Sequence, residues 1–182
     1  MRFDALPESD HPLVELRPIT ADDLPVWLAY LQQPVVFQHT SWNNPTLEEL
    51  SKYVWSPAMR EPSNLLRLAV ASRKSHQLIG TVGFHTVVPA HRSAELAFDL
   101  MPSHWGRGIA THVCQVVVRW AHEHAGVLRV QATTLESNLR SARVLERAGF
   151  EREGLLRSYR LVRGAPGNFF MYSHIASAAS VT

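Results

Sequence analysis

The 182-residue chain has one cysteine, Cys114, so an internal disulfide framework is excluded. Set within VCQVVV, that thiol reads as core packing rather than as a reactive nucleophile. Long apolar runs are missing too. No stretch approaches the roughly 20 consecutive apolar residues of a membrane span, and the opening MRFDALPESD has no signal-like apolar segment. A cytoplasmic protein without membrane contact is the expectation. There is no internal repeat, low-complexity tract or linker, which leaves a single domain over residues 1–182 with its core at about 13–175. An excess of one charge is also lacking: the net value is +2, too small by itself to argue for nucleic acid.

The small total conceals an asymmetry. Residues 1–61 hold four Lys/Arg against nine Asp/Glu (net −5), and residues 62–182 hold fourteen against seven (net +7). A basic C-terminal part invites an anionic ligand and an acidic N-terminal part a cationic one, with ordinary solvated surface as the alternative.

Patterning predicts the elements. LVELRPI (13–19) alternates as a strand does, and Thr20 with Asp22 and Asp23 opens a helix that stops near Gln33-Pro34. FQHTSWNNP (37–45) reads as a loop, and Thr46 and Glu49 have capping-box spacing for a second helix through Tyr53. LLRLAVAS (65–72) and QLIGTVGFHTVV (77–88) are expected to form a hairpin, and AELAFDLM (94–101) is the next strand, ended by Pro102. Residues 109–124 form the clearest helix, with Ile109, Val113, Val116 or Val117, and Trp120 on one face. A strand at 128–135, a helix at 138–150 stopped by Gly149, and two strands around the turn RGAPG complete the chain.

PSHWGRGIATH (102–112) lies between the proline-ended strand and the long helix. Gly106 and Gly108 remove side chains from the turn, so successive N–H groups can address one locus while the helix adds its positive end. That makes an anion site, to which Arg107 can add a charge-assisted contact. Two glycines in a turn are equally compatible with simple punctuation.

The order of strand, glycine turn, long helix, strand, N-x-x-S (138–141) and a helix ending in AGF resembles the GNAT superfamily of acetyl-CoA-dependent N-acetyltransferases. Its pyrophosphate loop is written Q/R-x-x-G-x-G/A, and WGRGIA matches with Gly108 and Ala110; Trp105 departs from the first position. The Trp-Gly-x-Gly form, with NLRSARVLERAGFEREGLLR, looks most like the branch containing ribosomal-protein N-terminal acetyltransferases.

The resemblance implies an α+β fold with a mixed, mostly antiparallel sheet of six to seven strands and about four helices. It implies acetyl-CoA as co-substrate, bound by Trp105, Gly106, Arg107, Gly108, Ile109 and Ala110, by strand backbone near Leu100 and Met101, and by Asn138. Ser141 would sit near the sulfur and help protonate the leaving thiolate. Glu95, on the strand entering the loop, is the candidate base, acting through water, and Asp99 on the same face is a weaker rival. His39, Trp42 and Tyr172 are the candidate acceptor lining. Asn168 stands where the branch often has Asp, so no role is carried onto it. Read by themselves, Asn138 is a helix N-cap, Ser141 a first-turn serine and Glu95 a solvated carboxylate.

The expected reaction is direct attack of a primary amine on the thioester. The acceptor expected first is a protein N-terminal α-amine, with ribosomal proteins among the candidates; a small amine such as an antibiotic or polyamine is the alternative, and a non-catalytic acyl-CoA-binding module is another. An α-amine has a pKa of about 8 and a lysine about 10.4, so the former needs less help in losing its proton. His112, His122 and His124 are spaced ten and two apart, which does not place three ligands on one helix face, and no metal is expected. Seven arginines between 140 and 163 are interleaved with three glutamates and no stacking array, so no direct nucleic-acid binding is expected. Arg140 and Arg143 suit a CoA phosphate or plain surface. Monomer and homodimer both remain open.

Overall fold

The computed structural model describes residues 5–56 and 65–177. Seven strands form one sheet in the order β1-β2-β3-β4-β5-β7-β6: β1 Val14–Pro18, β2 Leu66–Ser72, β3 Leu78–Val88, β4 Ser93–Leu100, β5 Arg129–Leu135, β6 Glu151–Val162 and β7 Ala165–Ile175. Every pairing is antiparallel except β4 with β5. A parallel pair needs a crossover, and helix α4, Ile109–Glu123, supplies it.

Strand β2 shows why the sheet is covered on both faces. Leu68 and Val70 enter a large cluster with α4 and with α5, Leu139–Arg147, whereas Ala69 between them enters a second cluster with Trp27, Tyr30 and Leu31. Alternation of side chains sends neighbours to opposite faces. The second cluster is covered by α1, Leu24–Leu31, and α3, Leu47–Ser51, whose Thr46–Glu49 capping box forms as the spacing predicts. On α4 the buried face takes Ile109, Val113, Val117, Val118 and Trp120, so Val117 rather than Val116 is the inward residue. Cys114 is completely buried there, and burial pushes its thiol pKa far up, consistent with packing rather than chemistry.

Three details differ from the sequence reading. Pro34 ends α1 but also begins a further short helix, α2, Pro34–Phe37, because its fixed φ and missing N–H suit a first turn. The last turn is tighter than RGAPG: Val162 pairs with Ala165, and only Arg163 (φ 51°) and Gly164 (φ 81°) lie between them, the left-handed pair that a two-residue hairpin favours. Register shifts also interrupt the ladders at four places, two of which border the site. One, between Phe84 and Thr86 of β3, leaves His85 as the extra residue, and the other lies between Leu156 and Arg160 of β6.

Candidate functional site

Strands β4 and β5 pair only through Ser93–Glu95 and Arg129–Gln131, after which β4 continues along β3 and β5 along β7. The sheet therefore opens, leaving facing strand edges without a strand partner. A cleft of about 850 Å³ occupies the opening. It runs from the glycine turn and the first turn of α5 to the segment after α2 and to the β6–β7 hairpin, where Arg160 and Phe169 border it.

The glycine turn forms one end. Gly106 and Gly108 have φ of 74° and 76°, and a Cβ on either would meet nothing within 4 Å. Their main chain adopts a left-handed form that disfavours side chains, on a side open to the cleft. Helix α4 begins immediately afterwards, and the line from Trp105 through Ala110 borders the cleft. Trp105 braces this turn through its side chain. The indole Nε1–H donates to the Leu100 carbonyl at 2.6 Å, and the Arg140 guanidinium stacks over the ring at 4.7 Å. The tryptophan thus ties the turn to the end of β4 and to α5. Arg107, Arg140, Arg143 and Arg147 make this end electropositive.

Asn138 is the N-cap of α5, accepting from the Ser141 N–H at 3.1 Å, as its local sequence suggests. It also donates through Nδ2 to the His39 carbonyl at 2.9 Å. One side chain therefore joins the α5 end of the cleft to the segment after α2. Ser141 borders the cleft, and its hydroxyl makes no hydrogen bond among the described residues. His39 and Trp42 border it as well, and the buried His39 Nδ1 and Thr134 Oγ1 have no partner there.

The structure moves three sequence-selected residues away from the lining. Leu100 borders the cleft, but Met101 donates its N–H to the Ile79 carbonyl at 2.7 Å and packs toward α1. Tyr172 is 1% exposed and belongs to the α4/α5 core. Strand alternation explains it: on β7 the cleft-facing residue is Phe169, three positions away and hence on the other face.

Glu95 is the third. It lies beneath the lining rather than in it, 6% exposed, with Oε1 accepting from Thr133 Oγ1 at 3.0 Å and Arg160 Nη2 at 3.0 Å and lying 3.3 Å from His85 Nε2. Burial alone would raise its pKa, but the His85 hydrogen bond and charge, Arg160 and Thr133 outweigh it and hold the carboxyl at about 2. It is neither the solvated carboxylate of the plain alternative nor a free base.

Asp99 meets a similar fate. It accepts from the Tyr30 hydroxyl, from Arg67 Nη2 at 2.6 Å and from Thr81 Oγ1 at 2.8 Å, and both ionic side chains are under 8% exposed. Arg67 lies over Trp27 and Tyr53. Among the described residues Asp99 is the one carboxylate bordering the cleft. Among the described residues, the acidity of the 1–61 segment is therefore not expressed as a free negative lining.

Sequence reasoning missed three residues. His85 borders the cleft as the extra residue of the β3 bulge, which re-aims it, and Arg160 borders it at the end of the β6 irregularity; pairing slips of this kind leave no reliable mark in composition. Arg163, at the hairpin turn, donates to the carbonyls of Phe37, Gln38, Thr40 and Trp42 at 3.1–3.4 Å. Asn168 proves structural: Oδ1 accepts the Ser158 N–H at 3.0 Å within the β6 bulge, and Nδ2 donates to Glu136 Oε2 at 3.2 Å.

A parallel pair that parts after three residues, a glycine turn bordering the opening and a helix start behind it together form an open cleft suited to an extended anionic ligand. Comparison with known proteins agrees. The acetyltransferase (GNAT) domain family matches residues 14–151. YoaA of Bacillus subtilis, named an uncharacterized N-acetyltransferase, is 31% identical over 160 residues, spanning 87% of this chain and 90% of that one. The crystal structure of ribosomal-protein-S5-alanine acetyltransferase from Vibrio fischeri superposes with a TM-score of 0.79 at 20% identity, covering 94% and 97% of the two chains. Spermidine N-acetyltransferase from Vibrio cholerae, in complex with CoA and spermine, gives 0.77 at 18% identity over 91% and 96%. The chain belongs to the GNAT family of N-acetyltransferases.

Proposed function

We propose that this enzyme transfers an acetyl group from acetyl-CoA to a peptide N-terminal α-amine. The opening between β4 and β5, with Gly106 and Gly108 at its end, carries the reading: it offers unpaired strand edges to an extended arm and main-chain amides to a pyrophosphate. Bound acetyl-CoA supplies an activated acyl group. The segment from Trp105 to Ala110 holds its phosphates, Arg107, Arg140 and Arg143 add charge-assisted contacts, and Asn138 keeps the first turn of α5 in place. The Ser141 hydroxyl, uncommitted within the described residues, donates a proton to the departing thiolate.

The choice of an α-amine follows from the carboxylates. Glu95 at a pKa of about 2 is far too acidic to deprotonate an amine efficiently, and Asp99 is spent on three donors. An amine near pKa 8 is partly neutral at about pH 7.5, whereas one near 10.4 is almost wholly protonated. A polyamine would also find no uncommitted carboxylate among the described cleft residues. The protein acceptor named for the Salmonella typhimurium acetyl transferase, which modifies the N-terminal serine of ribosomal protein L7/L12, supports the same class.

The test is CoA release measured with N-terminal peptides, lysine side-chain analogues and spermidine in parallel, with acetyl-CoA affinity determined separately. The expected order places α-amine peptides first by kcat/KM. Preference for spermidine would overturn the acceptor assignment.

A further inference from the structure

The α-amine reading leaves open which group takes the proton. We propose that His85 is the general base of the acetyl transfer and that Glu95 is its positioning residue. This rests on the amine-acetylation reading above and deepens it.

His85 is the extra residue of the β3 bulge, opposite the point where Glu95 pairs with Thr86. A bulge turns a side chain away from the regular alternation, and this ring borders the cleft with 26% of its side chain exposed. Its Nε2 lies 3.3 Å from Glu95 Oε1 and its Nδ1 3.1 Å from Thr86 Oγ1. An ionised carboxylate only accepts, so the proton of the neutral ring resides on Nε2 and the lone pair on Nδ1.

That arrangement accepts a proton without losing a hydrogen bond. In the neutral ring Thr86 donates to Nδ1. After proton uptake Nδ1–H donates and the Thr86 hydroxyl turns to accept, while Nε2–H keeps its bond to Glu95. The charged groups around the ring are Glu95 from β4 and, through the same oxygen, Arg160 from β6; Thr133 from β5 completes the carboxylate's shell. Glu95 therefore stays ionised, fixes the tautomer and balances the imidazolium. The step conserves atoms and charge: before attack the ammonium gives one proton through water and the Thr86 hydroxyl to His85 Nδ1, and as the C–N bond forms and the C–S bond breaks the second proton leaves the nitrogen for the Ser141 hydroxyl, which passes its own to the thiolate.

The test varies the basicity of the acceptor. At fixed pH, His85→Gln is compared with the wild type on a peptide amine that is mostly protonated and on a weakly basic amine already neutral. General-base loss is expected to cost about 100-fold in kcat/KM on the first and less than about three-fold on the second, which has no proton to give before attack. Glu95→Gln should show the same selective pattern at roughly ten-fold, with acetyl-CoA affinity retained. Equal losses on both amines, or no loss on either, would overturn the proposal, because a packing role does not discriminate by amine basicity. If the wild type releases CoA with no amine at all, the acceptor reading fails instead, a result distinct from both.

Discussion

In the proposed reaction the working groups at one end of the cleft are main-chain amides around Gly106 and Gly108; at the other they are the side chains of His85, Glu95 and Arg160, each held by another. The first end depends on a local backbone conformation that the consecutive residues 102–112 specify. The second depends on four strands meeting in register, with a bulge in β3 and another in β6. A motif that recognises a cofactor through backbone can be short and sequential, because its donors need no side-chain identity. A motif that moves a proton must bring side chains from distant strands to one oxygen.

Three changes separate the two kinds of construction. Asp99→Ala should be the most damaging to the fold. It leaves Arg67, 4% exposed on its side chain, without its carboxylate, and breaking a buried pair from one side costs about 3–5 kcal/mol; denaturant unfolding should show it. Gly108→Val attacks the backbone end. A β-branched residue at φ 76° stores about 1–3 kcal/mol of strain, and calorimetric acetyl-CoA affinity should fall at least about 100-fold, roughly 2.7 kcal/mol, with the sheet intact. An unchanged affinity would remove the amide cradle from the reading.

The mildest effect at neutral pH is a pH signature at the side-chain end. Glu95 has its folded pKa lowered from 4.5 to about 2, so the folded state binds this proton less readily than the unfolded chain. Its contribution to stability is complete above about pH 4.5 and fades as pH falls toward about 2. Wild-type melting temperature should drop across that window more steeply than that of Glu95→Gln. Parallel curves would show that the carboxylate is not held as described.

The two ends also differ in how legible they are. The glycine turn, the capped start of α5 and the strand before them can be read directly, because each is a local rule: positive φ, a side chain that caps, a proline that stops a strand. All seven strands and the four longer helices are likewise local patterns, and the structure contains them. Glu95 can be singled out by position, but not its surroundings, since Thr133 and Arg160 lie 38 and 65 residues away. Tyr172 falls on the face opposite to the expected one because alternation along β7 gives relative, not absolute, orientation. His85 is hidden altogether: in unbroken alternation it is one more strand residue, and only the pairing slip singles it out. Trp105, the departure from the family loop pattern, becomes intelligible once its indole is seen on the Leu100 carbonyl.

Arg163 has a reach beyond its own turn. Its guanidinium gathers the carbonyls of Phe37, Gln38, Thr40 and Trp42 and lies 4.9 Å over the Phe37 ring, while its N–H donates to Asn43 Oδ1 at 2.7 Å. The segment after α2 that borders the cleft is therefore moored by two side chains, Arg163 and Asn43, to a hairpin tip far downstream in the chain. Lengthening or shortening that tip by one residue would re-cut the entrance from both sides at once, yet leave the glycine turn at the far end undisturbed. On the proposed function, the choice of what is acetylated and the means of holding the acetyl donor become mechanically separate adjustments.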